Sequence, residues 1–298
     1  MVGLWMFAVV VLFLLAGFPV AFSLGGTAVL FTLIGSNILD AYLGIALPWD
    51  PIFNVARLNI LPQRIFGTIM DNYTLVAVPF FVFMGVMLER SGLAEELLET
   101  MGVLFGSLRG GLAISIVVVG ALLAASTGVV GASVVTLAVL ALPVMLRHGY
   151  SKTLASGVVA ASGTLGQIIP PSIVLVILGD QIGVSVGDLF LGSFVPGFML
   201  ASLFILWVAF VAWRRPAEAP ALPPEARTLR GAKLAFKILK SLVPPLILIA
   251  LVLGTIFFGV ATPTEAGAAG AAGATVLAAL NRRLTRKNLV DTMDQTVR

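Results

Sequence analysis

No charged residue occurs between Gly110 and Leu146, and none again between Thr153 and Gly179. Each stretch exceeds the roughly 20 apolar residues that cross a bilayer, so lipid is the solvent that decides this fold. Further apolar runs lie near 3–16, 18–35, 72–88, 189–213, 241–258 and 260–280. In hydrocarbon every backbone polar group needs an internal partner, which favours helices. The expected fold class is therefore all-α, a polytopic integral membrane protein. Only 11% of residues are charged, against about a quarter in soluble domains.

The first run, MVGLWMFAVVVLFLLAG, has the apolar core of a signal sequence without its basic n-region, and a second run follows at once. It reads as a retained membrane helix. The chain has no Cys, which excludes disulfides, thiol catalysis and thiolate ligands. Its one histidine, His148, stands in a loop beside Arg147, and no Asp pair lies inside an apolar run. An intramembrane enzyme has no nucleophile and base to work with.

The net charge of +4 comes from basic residues in short loops, the pattern of topology signals rather than of nucleic-acid binding. Arg214, Arg215, Arg227, Arg230, Lys233, Lys237 and Lys240 face only Glu218 and Glu225 across 214–240. Arg147 and Lys152 flank a short turn, and Arg282, Arg283, Arg286 and Lys287 follow the last run. Asp180 and Asp188 bound a loop with no basic residue. The positive-inside rule places 147–152, 214–240 and 281–298 in the cytoplasm, and 180–188 and the N-terminus outside. Residues 41–71 suit an amphipathic helix on the membrane surface. Glu95, Glu96 and Glu99 read as a solvated helix face. PAEAPALPPE, 216–225, reads as a linker between two helical bundles.

The run from Thr153 to Gly179 contains ASGTLGQIIPPS, which a continuous helix does not tolerate. Broken membrane helices occur where the backbone is packed in protein or lines a cavity, and transporters place ions there. Gly163 and Gly166 are expected to let the backbone turn. Pro170 and Pro171 cannot donate, so upstream carbonyls are left free. Thr164, Gln167 and Ser172 add neutral oxygens suited to a hard cation. The 110–146 run is long enough for two passes or one hairpin. Its segment AASTGVVGASVVTL carries Ser126, Thr127, Gly128, Gly131, Ser133 and Thr136, a candidate re-entrant tip facing the Pro-Pro break. Close packing of small residues is the alternative for Ser133 and Thr136. In GVATPTEAGAAGAAGATVL, Thr262 and Pro263 fit a helix start, and Glu265 reads equally as a cap or a functional carboxylate. The segment echoes GFPVAFSLGGTAVLF at 17–31, which suggests a second repeat from near 241.

GFPVAFSLGG, VPFFVFMGVMLERSG, GQIIPPS and ATPTEAGAAGA, in that order, resemble the DctM-like large permease (M) subunit of TRAP transporters along essentially the whole chain. The resemblance implies an elevator-type transporter of two inverted repeats, each with a re-entrant hairpin and a broken helix. It implies import of small organic acids, such as dicarboxylates or 2-oxo acids, across the bacterial inner (cytoplasmic) membrane. Sodium is the coupling ion, with no other cofactor. The partners implied are a small four-helix membrane subunit and an extracytoplasmic solute-binding protein.

The organisation expected is scaffold and interfacial helices in 1–71, a first repeat in 72–213, a basic cytoplasmic linker in 214–240 and the start of a second repeat in 241–298. Carried onto this chain, the sodium ligands are Ser126 and Thr127, backbone oxygens of Gly166 and Ile169, and the turn at Pro171. Gly131, Ser133, Thr136, Thr164, Gln167, Pro170 and Ser172 complete the substrate and ion site. The family's SGS-type tip is replaced by ASTGVVGASVVT, so Ser133 is an alternative to Thr127. Members of the family run on to a second hairpin and second broken helix, so the resemblance implies C-terminal truncation. The alternatives are a non-transporting fragment or scaffold, or a channel-like pore using the same carbonyls.

Overall fold

The computed structural model describes residues 2–35, 55–127, 130–223 and 231–297, and every regular element among them is a helix. The chain divides into two compact units, Met1–Asn72 and Tyr73–Arg298.

In the first unit, α1 (Val2–Leu15) and α2 (Val20–Gly35) pack on each other as a hairpin. Gly17 makes the turn at φ +86°, a conformation costly for any residue with a Cβ. The polar groups of α2 are settled within the helix. Ser23 and Thr27 are buried, and their hydroxyls donate to the carbonyls of Pro19 and Ser23 at 3.1 and 2.6 Å. Of the expected surface helix at 41–71, residues 41–54 lie outside the described residues. The remainder is helical with changing pitch: a 3₁₀ segment Val55–Ile60, one α-turn Leu61–Arg64 and a π segment Ile65–Met70. It leaves Leu61, Ile65, Phe66 and Ile69 exposed.

The second unit begins with α3 (Tyr73–Arg90) and α4 (Leu93–Phe105). The hairpin α5 (Gly111–Thr127) and α6 (Val130–Arg147) follows. Then come α7 (Lys152–Thr164) and α8 (Ile173–Ile182), the two halves of the interrupted run. The long α9 (Val186–Arg214), α10 (Ala232–Phe257), α11 (Pro263–Leu280) and the amphipathic α12 (Arg286–Val297) complete it. By length and apolarity, α3, α9 and α10 qualify as membrane spans on their own.

Two hydrophobic clusters organise this unit. One gathers the hairpin, α7 and the second half of α9, with Ile116, Val119, Leu137, Met145, Leu165 and Val208 buried. The other gathers α3, α8, the start of α9, α10 and α11 around Ala77, Phe81, Met84, Val176, Phe190 and Val252. The α3–α11 contact is the most extensive, because α11 offers a stripe of Gly267, Gly270, Ala271, Ala274 and Ala278. A Cβ on Gly270 would sit 2.6 Å from Met84 Sδ and 2.9 Å from Val252 Cγ2. Small residues here allow the close backbone approach that drives helix association in lipid.

Three findings revise the sequence expectations. First, α10 starts at Ala232, nine residues before the apolar run from 241, so part of the basic linker is helical. Lys is a good helix former, and hydropathy marks where lipid ends rather than where a helix ends. Lys237 reaches Glu99 at 3.0 Å, so one member of the carboxylate face is ion-paired. Second, the Pro-rich segment before it is a strap rather than a free spacer. Gly110 N–H donates to Ala219 O at 2.9 Å, Leu222 N–H to Gly106 O at 2.8 Å and Ser151 N–H to Glu218 O at 3.0 Å. These bonds hold the foot of α5 and the start of α7 to one basic end. Third, Glu265 forms a capping box, with its backbone N–H received by Thr262 Oγ1 and its carboxylate receiving Thr262 N–H at 2.8 Å. That satisfies two donors at the start of α11.

The long uncharged run is a hairpin whose depth can be measured against α7. From the basic end α7 climbs 13 residues, about 20 Å at 1.5 Å per residue, against a hydrocarbon core of about 30 Å. The first turns of α6 meet α7 at its far end, where Val134 touches Gly163. The start of α6 therefore lies near the depth at which α7 ends, and α6 returns to the side from which α5 came.

Candidate functional site

The interrupted run is broken where the prolines dictate. α7 ends at Thr164, a single 3₁₀ turn covers Leu165–Gln167, and α8 starts only at Ile173. In a continuous helix the carbonyls of Gly166 and Gln167 would accept from the N–H groups four residues on. Those positions are Pro170 and Pro171, which have none. Leu165 O takes the N–H groups of both Ile168 and Ile169, at 3.1 and 3.0 Å, which closes the 3₁₀ turn. Gln167 O receives the Ser172 hydroxyl at 2.8 Å. Gly166 O keeps no backbone donor among the described residues. The Pro170–Pro171 peptide is cis.

Burial surrounds this break. Gly166, Ile169, Pro170, Pro171 and Ser172 are buried, and Gln167 is half-buried. Helix α9 backs it so closely that a Cβ on Gly197 would lie 2.9 Å from Ile169 Cγ1. The hairpin covers the other side, with α5 packed on the Leu165–Gln167 turn. Neither the break nor the hairpin tip contains an ionisable residue. Charge is supplied instead by helix ends. The carbonyl end of α7 and the N–H end of α8 flank the break, and each such end carries about half an elementary charge. Carbonyl ends favour a cation and N–H ends an anion.

The expected site residues are distributed unevenly. Gly166, Gln167, Ile169, Pro170, Pro171 and Ser172 form the break itself. Ser126 and Thr127 end α5 beside the tip; their side chains, like residues 128–129, lie outside the described residues. Ser133 is buried at 3% exposure on the first turns of α6, next to Val134. Gly131 and Thr164 are exposed, and the Thr164 hydroxyl donates to Ala161 O at 2.8 Å within its own helix. Thr136 does not belong to the tip: it lies nearly two turns into α6, and its hydroxyl donates to the Glu89 carboxylate of α3.

Gly163 also has a different role from the one expected. It lies inside α7 with ordinary helical backbone, and it permits contact rather than a turn. A Cβ there would fall 2.3 Å from Val134 Cγ2 and 2.9 Å from Val134 Cα. The matching residue on α5 is Gly120, where a Cβ would come within 2.6 Å of Ser162 Cβ. Gly120 and Gly197 were not singled out in the sequence. Their only signal is a glycine inside a helical pattern, which marks close approach but does not distinguish Gly197 from Gly187 or Gly192 on the same helix.

Comparison with known proteins identifies the family. The family model described as "Tripartite ATP-independent periplasmic transporter, DctM component" matches residues 7–298. The "C4-dicarboxylate TRAP transporter large permease protein DctM" of Vibrio cholerae is 38% identical over 216 residues, covering 72% of this chain and 46% of the relative. The "Sialic acid TRAP transporter large permease protein SiaM" of the same organism is 30% identical over 254 residues, 85% of this chain and 58% of the relative. The "Isethionate TRAP transporter permease protein DctMQ" of Oleidesulfovibrio alaskensis is 32% identical over 204 residues, 68% and 31%. The chain spans about half the length of the curated relatives it matches. These relatives are transport permeases and not enzymes, and a match over nearly every residue, break and hairpin included, means that the chain belongs to the DctM component family of tripartite ATP-independent periplasmic transporters.

Proposed function

We propose that this chain forms the ion-coupled half-site of a sodium-driven, binding-protein-dependent importer of small organic acids in the bacterial inner membrane. The observation that carries the reading is the Gly166 carbonyl, left without a backbone donor among the described residues in a buried, charge-free break packed against α5. An uncharged oxygen cage suits sodium, because a weakly held monovalent ion needs dipoles rather than carboxylates. Ser126 and Thr127, or Ser133 in place of Thr127, supply side-chain oxygens from the hairpin. Gly166 and Ile169 and the turn at Pro171 supply backbone oxygens. The N–H end of α8 is suited to the substrate carboxylate. Relatives named for a C4-dicarboxylate, sialic acid and isethionate all handle organic anions, which supports an organic acid here, a dicarboxylate or 2-oxo acid. The small four-helix subunit and the solute-binding protein are the partners in this reading. Movement is of the elevator type.

Sodium is energetically apt. A charge at the bilayer centre costs about 3 kcal/mol or more, and each sodium moving down the membrane potential supplies about 2.3 kcal/mol per 100 mV. For a dicarboxylate two ions balance the two negative charges, and the sodium concentration gradient or a further ion supplies the free energy for accumulation. The test is a sodium titration of the purified chain in detergent, followed by intrinsic fluorescence and thermal unfolding, with choline chloride as the ionic-strength control. Stabilisation by sodium alone is expected, growing as the logarithm of ion concentration above the Kd, with a fluorescence change that saturates. Identical curves in sodium and choline overturn the ion site.

A further inference from the structure

An open cleft of about 600 Å³ runs between α7 and α9, away from the helix break. Its floor is Val117, Leu154, Val158 and Val208, all buried. Gly157 on one wall leaves it wide, since a Cβ there would meet nothing within 4 Å. The other wall carries Trp207 and Phe210, whose rings lie 5.9 Å apart, with Trp213 6.3 Å beyond Phe210 toward the basic end. Aromatic rings in such a series mark the level where hydrocarbon meets headgroups. The mouth lies at that level and holds Arg214 and Arg215. Arg215 is engaged by Glu218 at 3.1 Å, whereas Arg214 has no carboxylate partner among the described residues.

We propose that this cleft seats one acyl chain of an anionic phospholipid, with the lipid phosphate held by Arg214. The volume lies in the range of about 300–1,000 Å³ usual for small-molecule sites, and the lining is apolar except at the mouth. A guanidinium matches a phosphate with two parallel hydrogen bonds. Basic pockets between membrane helices on the basic side of a protein take anionic headgroups. A partner helix in the same cleft would have to bring its own carboxylate to Arg214, because a buried unpaired charge is costly. A zwitterionic lipid brings its own ammonium group, which competes with Arg214 for the phosphate.

The experiment is native mass spectrometry of the purified full chain, delipidated in detergent and then offered phosphatidylglycerol, phosphatidylcholine or glycerol phosphate. One phosphatidylglycerol per chain is expected to survive, retained about tenfold more than phosphatidylcholine. Glycerol phosphate, the headgroup without tails, is expected not to bind. Gly157→Leu fills the cleft and removes retention of phosphatidylglycerol, while thermal unfolding in lipid-free detergent shows an intact fold. Arg214→Gln lowers phosphatidylglycerol to the phosphatidylcholine level. Equal retention of the two lipids by the unaltered chain overturns the proposal. So does full retention by Gly157→Leu, tight binding of glycerol phosphate, or recovery of a second polypeptide in place of lipid.

Discussion

Gly163→Leu forces the hairpin away from the broken helix and destabilises the protein by about 3 kcal/mol, the upper part of the usual range for overpacking. The clash is with Val134 Cα, at 2.9 Å from a Cβ, as well as with its side chain. A rotamer change relieves the second contact but not the first, so a backbone must shift. Gly163→Ala introduces the same Cβ and falls between, because alanine returns about 1 kcal/mol of helix propensity. Gly192 on α9 is the control, since a Cβ there meets nothing within 4 Å. Thermal unfolding in detergent should rank Gly192→Leu with the unaltered chain and Gly163→Leu far below it. Equal melting of the two leucine variants would show that the hairpin does not press on α7.

The paired replacement Pro170→Ala/Pro171→Ala should shift the sodium response to at least tenfold higher concentration while leaving the protein at least as stable. Alanine returns N–H groups four residues after Gly166 and Gln167, where the helix can use them. The Gly166 carbonyl then accepts a hydrogen bond instead of facing an ion. Losing one ion–dipole contact of the charged-hydrogen-bond class, about 1.5–3 kcal/mol, weakens sodium binding at least tenfold. The same titration against choline reads the change. Sodium stabilisation of normal size in the double variant would remove the break from the ion site.

The helix break and the hairpin were legible in the sequence because both follow from local chemistry. A Pro-Pro pair inside a charge-free run removes two donors wherever it falls, and small polar residues halfway along another such run mark a turn. The start of α10 was not legible, since Lys233, Lys237 and Lys240 end an apolar pattern without ending a helix. Gly163 was misassigned for a related reason: glycine permits both a turn and a close contact, and only the position of Val134 decides between them. The Glu89–Thr136 hydrogen bond joins residues 47 apart in sequence, and nothing local to either predicts it. The strap was hidden because its bonds are made by main-chain atoms, to which the identity of Ala219 or Leu222 gives no clue.

That strap limits where the molecule can bend. Ala219 and Leu222 are buried as they cross the foot of α5, and three amide contacts there leave no slack. At about 0.5–1.5 kcal/mol each, sliding the hairpin past the end of α9 would cost a few kcal/mol before any apolar surface separates. Compliance must reside elsewhere, and the short stretch from Leu165 to Ser172 is where the chain passes from one hydrophobic cluster to the other without regular helix. Any movement of the hairpin against α9 therefore has to be taken up at that crossing rather than at the strap.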